Sequence, residues 1–235
     1  MGRSNAGRPR MGRPALVDRE AIVRAAIEIG FDRLTMSAVG SHLGVAHSTL
    51  YRYFGSRDAL ASAAIDHCVD SVQWPEPCKD WREFLTATAW SFWTLYEVHR
   101  GLALEVSTLR TTSEALVVVT NRSALALLDS GFDADDAILV IDMLGELVTQ
   151  AFLGATSAPE PTVSGASAAD GQPHTVSVVD GVRQRRVELM RPWLDAYAAP
   201  LRDAFAEIIL RPPVHQFEKK LGILLDGVRS LANGD

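Results

Sequence analysis

The sequence predicts an all-α protein with a small N-terminal head and a larger C-terminal body. Apolar residues recur at helical spacing from about residue 19 onward, and we find neither sustained two-residue alternation nor a hairpin signal. Capping residues and prolines divide this pattern into helices of ordinary length, and Pro75 and Pro77 mark the end of the head. The 235 residues, 47% of them hydrophobic, are enough to bury a large core.

The charge is distributed unevenly along the chain. Residues 1–57 hold nine arginines and four acids, a balance of +5. Because the net charge of the whole chain is −6, the remaining residues carry −11. A basic end on an acidic body is typical of a protein whose head approaches nucleic acid.

The first 14 residues lack apolar periodicity and are predicted to form a disordered basic arm. The unit Gly-Arg-Pro occurs twice, at 7–9 and 12–14. Proline keeps a chain extended, and arginine favours the narrow minor groove of A·T-rich DNA. We therefore expect minor-groove contacts from Arg8, Arg10 and Arg13. The alternative is a solvated tail that adds only salt-dependent attraction to phosphates.

Residues 15–73 are predicted to form the head. Asp18 caps a first helix over about 19–30, because its carboxylate accepts a hydrogen bond from an otherwise unpaired backbone N–H. Thr35 caps the second helix in the same way, and Gly44 ends it because glycine readily takes a positive φ.

The third predicted helix, over about 46–54, has an apolar inner side and a polar outer side. Leu50 and Phe54 point inward, whereas the outer side carries small hydrogen-bonding groups, aromatic rings and an arginine: His47, Ser48, Thr49, Arg52 and Tyr53. Ser56 caps a fourth helix over about 57–72, which leads into the body. Two short helices joined by a tight turn, the second with such an outer side, are typical of a helix–turn–helix module that reads DNA.

This head resembles the tetracycline-repressor family of bacterial regulators. The resemblance covers roughly the first quarter of the chain and rests on five segments: Ala25-Ala26 through Gly30, Leu34-Thr35-Met36, Leu43-Gly44-Val45, Thr49-Leu50-Tyr51-Arg52-Tyr53-Phe54 and Ser56-Arg57-Asp58-Ala59-Leu60. It implies a three-helix DNA-binding head joined by a fourth helix to a ligand-binding and dimerisation domain. It also implies a homodimeric repressor that leaves a palindromic operator when a small molecule binds; an activator fits the same pattern.

The resemblance assigns DNA contacts residue by residue. His47, Ser48 and Thr49 would meet the DNA near the start of the recognition helix. It implies that Tyr51 and Tyr53 touch phosphates or thymine methyls. Arg52 is a candidate base reader because arginine pairs well with guanine. Binding to the DNA backbone would fall to three further residues: Thr35, Ser37 and Arg57.

The body, residues 79–235, is predicted to be helical throughout except for a flexible loop over 155–180, which is rich in Ala, Ser, Gly and Pro. Helices are predicted over six segments, the last broken at Pro212-Pro213: 80–97, 102–109, 113–130, 134–154, 181–198 and 200–232.

The resemblance extends more weakly into the body, at His99-Arg100, over 128–132 and over 217–228. It implies that helix 134–154 and the last helix pair with their twofold mates in a four-helix dimer bundle. Two apolar stripes are the candidates for this interface: Ile141, Leu144, Val148 and Phe152 on one helix, and Phe217, Leu221, Leu224, Leu225 and Val228 on the other. The alternative is that both stripes face only their own core.

Aromatic residues concentrate in the first body helix, where Thr88, Phe92 and Tyr96 share one face. Such a stripe is often simply core, but the resemblance implies that this helix lines an effector cavity. Asp70, Thr88 and Arg110 are candidate polar anchors there. The remaining candidates for the wall of the cavity are Val106, Met143 and Leu147.

Magnesium–tetracycline is an unlikely effector on this reading. In tetracycline repressors, histidines and an acid hold a drug-bound magnesium ion, and the matching positions here are Asp70, Val106 and Gly154. Of these only Asp70 could bind a metal. We therefore expect no metal or cofactor, and a lipophilic or aromatic effector with few charges.

Other classes of protein find little support. No apolar run approaches the ~18 residues that span a bilayer, and the basic N-terminus lacks the apolar region of a secretory signal. Cys68 and Cys78 have no disulfide or zinc spacing, although a redox pair is conceivable. We find no catalytic triad or phosphate loop, so a helical-bundle enzyme is disfavoured. The expected protein is cytoplasmic, and its chief rival is an architectural binder of A·T-rich DNA without an effector.

Overall fold

A computed structural model describes residues 17–156, 185 and 187–233. The described residues form helices joined by short turns, with no strand among them, so the predicted all-α class is confirmed. The arm over 1–14 lies outside the described residues, as does the predicted loop except for its first two residues. Those two continue a helix.

Four helices and a short 3₁₀ turn build the head: α1 Arg19–Ile29, the turn Phe31–Arg33, α2 Met36–Leu43, α3 His47–Leu50 and α4 Arg57–Asp70. The three predicted N-caps are confirmed. Each cap oxygen accepts from the backbone N–H three residues on, at 2.7 Å for Asp18 and at 3.0 Å for Thr35 and Ser56. Local side-chain chemistry therefore sets where these helices begin.

The body contains six numbered helices and two 3₁₀ turns: α5 Trp81–Val98, α6 Leu102–Ser107, α7 Glu114–Asp129, α8 Ala134–Thr156, the turn Arg191–Ala196, α9 Ala199–Leu210, α10 Pro213–Gly227 and the turn Val228–Asn233. The predicted break at Pro212-Pro213 is confirmed, because Pro213 opens α10. In the segment predicted as a helix over 181–198, residues 187–190 are helical and a 3₁₀ turn follows.

Helix α8 is the centre of the body and packs against α5, α6, α7 and α10. It is also long and apolar enough, by length and composition alone, to cross a membrane, with a mean hydropathy of 1.6. The expectation that no segment reaches this limit was therefore too strict. Buried residues such as Leu144 and Val148 show why the helix is so apolar, since its inner side fills the core.

One hydrophobic core runs through both head and body. Helix α4 links them, because it packs against α1 on one side and α7 on the other. Its inner residues Leu60, Ala61, Ala64 and Ile65 are almost completely buried. The orientation of the head on the body is thus fixed by packing along α4 and by the contacts at its first turn.

Candidate DNA-binding surface and effector region

The corner between α2 and α3 is built on two glycines. Gly44 ends α2 at φ +67°, as the sequence predicts, and the N–H of Val45 bonds back to the Gly40 carbonyl at 2.9 Å. A Cβ on Gly40 would lie 2.9 Å from the Val45 carbonyl oxygen and 3.2 Å from the His47 backbone. Only glycine at position 40 therefore lets α3 cross α2 so closely, a requirement that the sequence reading missed.

Helix α3 is shorter than predicted. It ends at Leu50, and residues 51–53 form a tighter turn in which the N–H groups of Arg52 and Tyr53 bond to carbonyls three residues back. Leu50 and Phe54 are buried at 0% and 1% exposure and anchor this segment in the head. The anchoring leaves an outward surface of exposed side chains: His47, Ser48, Tyr51 and Arg52.

Tyr53 has a different place from the one predicted. It is half-buried, and its hydroxyl donates to the Val17 carbonyl at 2.6 Å. Arg19 fastens the same turn, because its guanidinium donates to the Tyr53 carbonyl at 2.7 Å and lies 4.1 Å from the centre of the Phe54 ring. Through this bond inside the head, Tyr53 helps to position the recognition segment.

Arg57 also departs from its predicted role as a DNA-backbone contact. Its side chain is only about a quarter exposed and pairs with Glu105 of α6 through its two terminal nitrogens, Nη1 and Nη2. The guanidinium therefore points to the body of the protein. The other two predicted backbone contacts, Thr35 and Ser37, are exposed, and Thr49 of the recognition helix is half-buried. Arg8, Arg10 and Arg13 lie outside the described residues.

The predicted effector helix α5 places its aromatic face inside the body. Thr88 and Tyr96 are buried and Phe92 is half-buried. Neighbouring rings from α5, α8 and α10 join them in an aromatic cluster, with ring centres 4.7 to 6.3 Å apart: Trp90, Phe92, Trp93, Tyr96, Phe152 and Phe217. Offset and edge-on contacts of this kind contribute more than their buried area alone.

A pair of hydroxyls is the polar feature of this cluster. The Tyr96 hydroxyl lies 2.9 Å from that of Thr149 on α8, and either can donate. Burial raises the pKa of Tyr96, and the bond to Thr149 offsets this only in part, so the phenol stays neutral. Thr149 was not among the predicted site residues, because a threonine inside a helix usually bonds to its own backbone.

Of the three predicted polar anchors, Thr88 is buried beside this cluster, whereas Asp70 and Arg110 lie at the surface. Asp70 is exposed and faces a groove between α1 and α4 that also holds Arg19 and His67. Arg110 is exposed and pairs with Asp58 at 3.4 Å at the start of α4. Spacing along the chain does not show which side of α4 or of the α6–α7 turn faces inward, so the sequence could not reveal that both side chains are exposed. Val106 is half-buried on α6 and packs against the core.

The predicted dimer stripes turn out to be mostly core. Ile141, Leu144, Val148 and Phe152 are at most 9% exposed, and Phe217, Leu221 and Val228 at most 5%. Within the single chain, these residues therefore face its own core, as the alternative expects. Leu224 is the exception, because it is half-buried and borders an outer groove.

The outer groove of about 740 Å³ runs between α8 and α10. Met143 and Leu147, which were predicted to line the effector cavity, lie here instead, together with Ile223 and Leu224. Leu139, one turn before Met143, is also exposed. The outer faces of α8 and α10 thus offer a mainly apolar surface that none of the described residues covers.

The two cysteines of the chain lie in different surroundings. Cys68 is buried and Cys78 is exposed, and both are free. Burial raises the pKa of Cys68 to about 12, so this thiol is inert near neutral pH. Among the described residues, no three His, Cys, Asp or Glu side chains are grouped so that they could hold a metal ion.

Two family models match the chain along most of its length. Residues 19–64 match bacterial regulatory proteins of the tetR family, and residues 74–231 match the tetracyclin repressor-like C-terminal domain. The chain belongs to the tetR family.

Relatives of this tetR-family protein agree with that assignment. The HTH-type transcriptional repressor Rv1353c of Mycobacterium tuberculosis is 33% identical over 76 residues. The match covers 29% of each chain, so it spans less than a third of that repressor.

Solved structures of the tetR family share the fold. ActR of Streptomyces coelicolor, in complex with actinorhodin, aligns with a TM-score of 0.73 and 23% identity over 94% of this chain and 100% of ActR. TetR of Acinetobacter baumannii aligns with a TM-score of 0.59 and 21% identity over 92% of this chain and 98% of that one. At these identities the likeness establishes the common architecture of head and body.

Proposed function

We propose that this tetR-family protein is a homodimeric transcriptional repressor that binds a palindromic operator and releases it when a small, largely apolar effector binds. The observation that carries the proposal is the outward surface of His47, Ser48, Tyr51 and Arg52, held by the buried anchors of the recognition segment. Hydroxyl, imidazole and guanidinium groups at one end of a short helix suit base edges and phosphates in the major groove.

Two copies are needed for adequate affinity, because one short recognition helix contacts only a few base pairs. A twofold dimer presents two such helices about one DNA turn apart, which favours a palindromic site. The outer groove between α8 and α10 is the best candidate for the interface, since it is mainly apolar and no described part of the chain covers it. This face replaces the two predicted stripes.

The effector is proposed to bind at the aromatic cluster between α5 and α8. Aromatic walls around a single pair of hydroxyls favour a neutral ligand with ring surface and an oxygen atom that can exchange hydrogen bonds with Tyr96 or Thr149. ActR, whose body has this architecture, forms a complex with actinorhodin, which supports a bound effector for this protein as well. Linkage requires that effector and operator weaken each other by the same factor.

Selection of duplexes from random DNA with the purified protein tests the reading role. We expect a palindrome, and we expect Tyr51→Ala and Arg52→Ala to weaken binding to it by about 1–3 kcal/mol each while Arg52→Ala also relaxes the choice of one base. Arg24→Ala is the matched control, because Arg24 is exposed on α1, pairs with Glu20 and carries the same charge. Unchanged binding by folded Arg52→Ala would contradict the assignment.

The basic arm is proposed to add minor-groove contacts through Arg8, Arg10 and Arg13. Deleting residues 2–14 should lower operator affinity and flatten its dependence on salt, because fewer phosphate counterions are released. If the deletion instead abolished all binding and the selected DNA were merely A·T-rich, the architectural alternative would hold. An activator would give the same DNA results but would raise transcription of a reporter.

A further inference from the structure

A charged pair joins the head to the body at the first turn of α4. Nη2 of Arg57 lies 2.7 Å from Glu105 Oε2, and Nη1 contacts Oε1. Glu105 is on α6 in the body and is only 8% exposed. A two-pronged arginine–carboxylate contact fixes direction as well as distance, which a lysine would not do.

The same arginine is also bonded within the head. Its Nε donates to the Leu34 carbonyl at 3.3 Å, and Nη2 donates to the Phe31 carbonyl at 3.4 Å. Arg57 thus connects three parts of the chain: the 3₁₀ turn, the start of α4 and the buried Glu105 of α6. The hydrogen bond to Glu105 is the main reason that the pKa of Arg57 is raised, with burial acting in the opposite direction.

A second contact joins the same two parts a short distance along the chain. The N–H of Phe31 donates to the Arg100 carbonyl at 2.8 Å, and Arg100 pairs with Asp32 at 2.7 Å. Gly101, at φ +79°, fits because a Cβ there would lie 2.4 Å from the Asp32 nitrogen. The backbones of the α1–α2 corner and the α5–α6 corner are therefore in direct contact.

Two separate attachments restrict motion more than one does. A single attachment would let the head pivot about it, whereas the backbone contact at Phe31 and the ion pair at Glu105 together fix a direction. The backbone contact is insensitive to most side chains. Arg57 and Glu105 are therefore the side-chain contact at this corner that acts together with the packing along α4 to set the angle of the head.

We infer that the Arg57–Glu105 pair fixes the angle of the head on the body and thereby sets the half-site spacing that the dimer accepts. This inference rests on the proposed function, since it requires two heads on one operator. One base pair of added spacing moves a half-site by about 3.4 Å and also rotates it around the duplex, so a small change in head angle alters which spacing fits. Arg57 and Glu105 are thus positioning residues that contact no base.

Two measurements on the full chain test the inference. The first is the distance between the two heads in the absence of DNA, measured by double electron–electron resonance. The spin labels are attached at Ser41→Cys, an exposed site on α2, in a Cys78→Ser background. The second is affinity for the selected palindrome with its half-sites moved by one or two base pairs in either direction. Glu105→Gln keeps the shape of the acid and removes its charge.

We expect Glu105→Gln to broaden the distance distribution and to reduce the preference for the best spacing over its neighbours by about fivefold or more, a modest coupling between sites. Arg57→Lys should change the distance distribution and the spacing preference in the same direction. If Glu105→Gln does not fold, Arg57→Lys alone tests the inference. Arg57 and Arg110 both pair with Asp58, each at 3.4 Å. Arg110→Gln is therefore the matched control, because Arg110 is exposed and its described ion pair is with Asp58 and not with Glu105.

The outcomes separate the inference from the proposed function. Folded Glu105→Gln and Arg57→Lys proteins with the wild-type distance distribution and the wild-type ranking of spacings would overturn the inference alone. A wild-type protein with no distance signal between heads and no selected duplex would overturn the proposed function, and the inference with it.

Discussion

The hydroxyls of Tyr96 and Thr149 meet at 2.9 Å inside the body, and both side chains are more than nine-tenths buried. Removing one partner leaves the other without its bond in an apolar place. Tyr96→Phe should therefore lower the free energy of unfolding by about 1–2 kcal/mol. The double variant Tyr96→Phe with Thr149→Val should cost less than the sum of the two single variants, because no polar group is then stranded.

Urea unfolding at a fixed protein concentration measures these free energies. Thr88→Val is the control, because Thr88 is equally buried but bonds to the Phe84 carbonyl of its own helix. Strictly additive losses in the double variant would mean that the two hydroxyls do not interact.

Arg19 is predicted to hold the recognition segment in place from α1. Arg19→Ala removes the bond to the Tyr53 carbonyl and the contact with the Phe54 ring, so we expect about 1 kcal/mol less stability and weaker operator binding. The comparison is Arg24→Ala, which removes the same charge from the same helix but breaks only an exposed pair with Glu20. Gel-shift titrations and urea unfolding of both variants check the prediction, which fails if the two behave alike.

Local chemistry explains what the sequence could predict about the fold. Asp18, Thr35 and Ser56 cap helices because their side chains bond to backbone groups three residues away, and such short-range contacts can be read from spacing. Gly44 and Pro213 mark a helix end and a helix start for similarly local reasons. The existence and order of the helices could therefore be predicted from the sequence.

Long-range contacts account for what the sequence could not predict. Helix α8 is apolar on both sides, so periodicity alone could not decide whether Leu144 or Met143 faces the core. Arg57 meets Glu105 across 48 positions, and nothing near either residue indicates this partner. A useful signal was available only at Glu105, because an acid beside Leu102 and Ala103 on a short apolar helix needs a partner when it is buried.

The outer groove between α8 and α10 is predicted to be the dimer interface. Ile223→Glu places a charge on this surface, where Ile223 is 66% exposed, and should convert the dimer to monomers and weaken operator binding by at least about tenfold through loss of the second head. Val118→Glu makes a comparable change on α7, where Val118 is 60% exposed. Sedimentation velocity should find monomers only for Ile223→Glu. A persistent dimer in that variant would place the interface elsewhere.

His99 is predicted to make the protein less stable in mild acid. Burial, and next the nearby His67, lower the pKa of His99 below its usual value of 6.5. As the pH falls through 6.5, His99 takes up a proton in the unfolded chain but not yet in the folded chain. The free energy of unfolding therefore decreases until the pH reaches the pKa of His99 in the folded chain. Urea unfolding at pH 7.5 and pH 5.5 should show a smaller loss for His99→Gln than for the wild type. His47→Gln, a change at an exposed histidine, should keep the wild-type loss. Equal losses in the wild type and His99→Gln would assign the acid sensitivity to other groups.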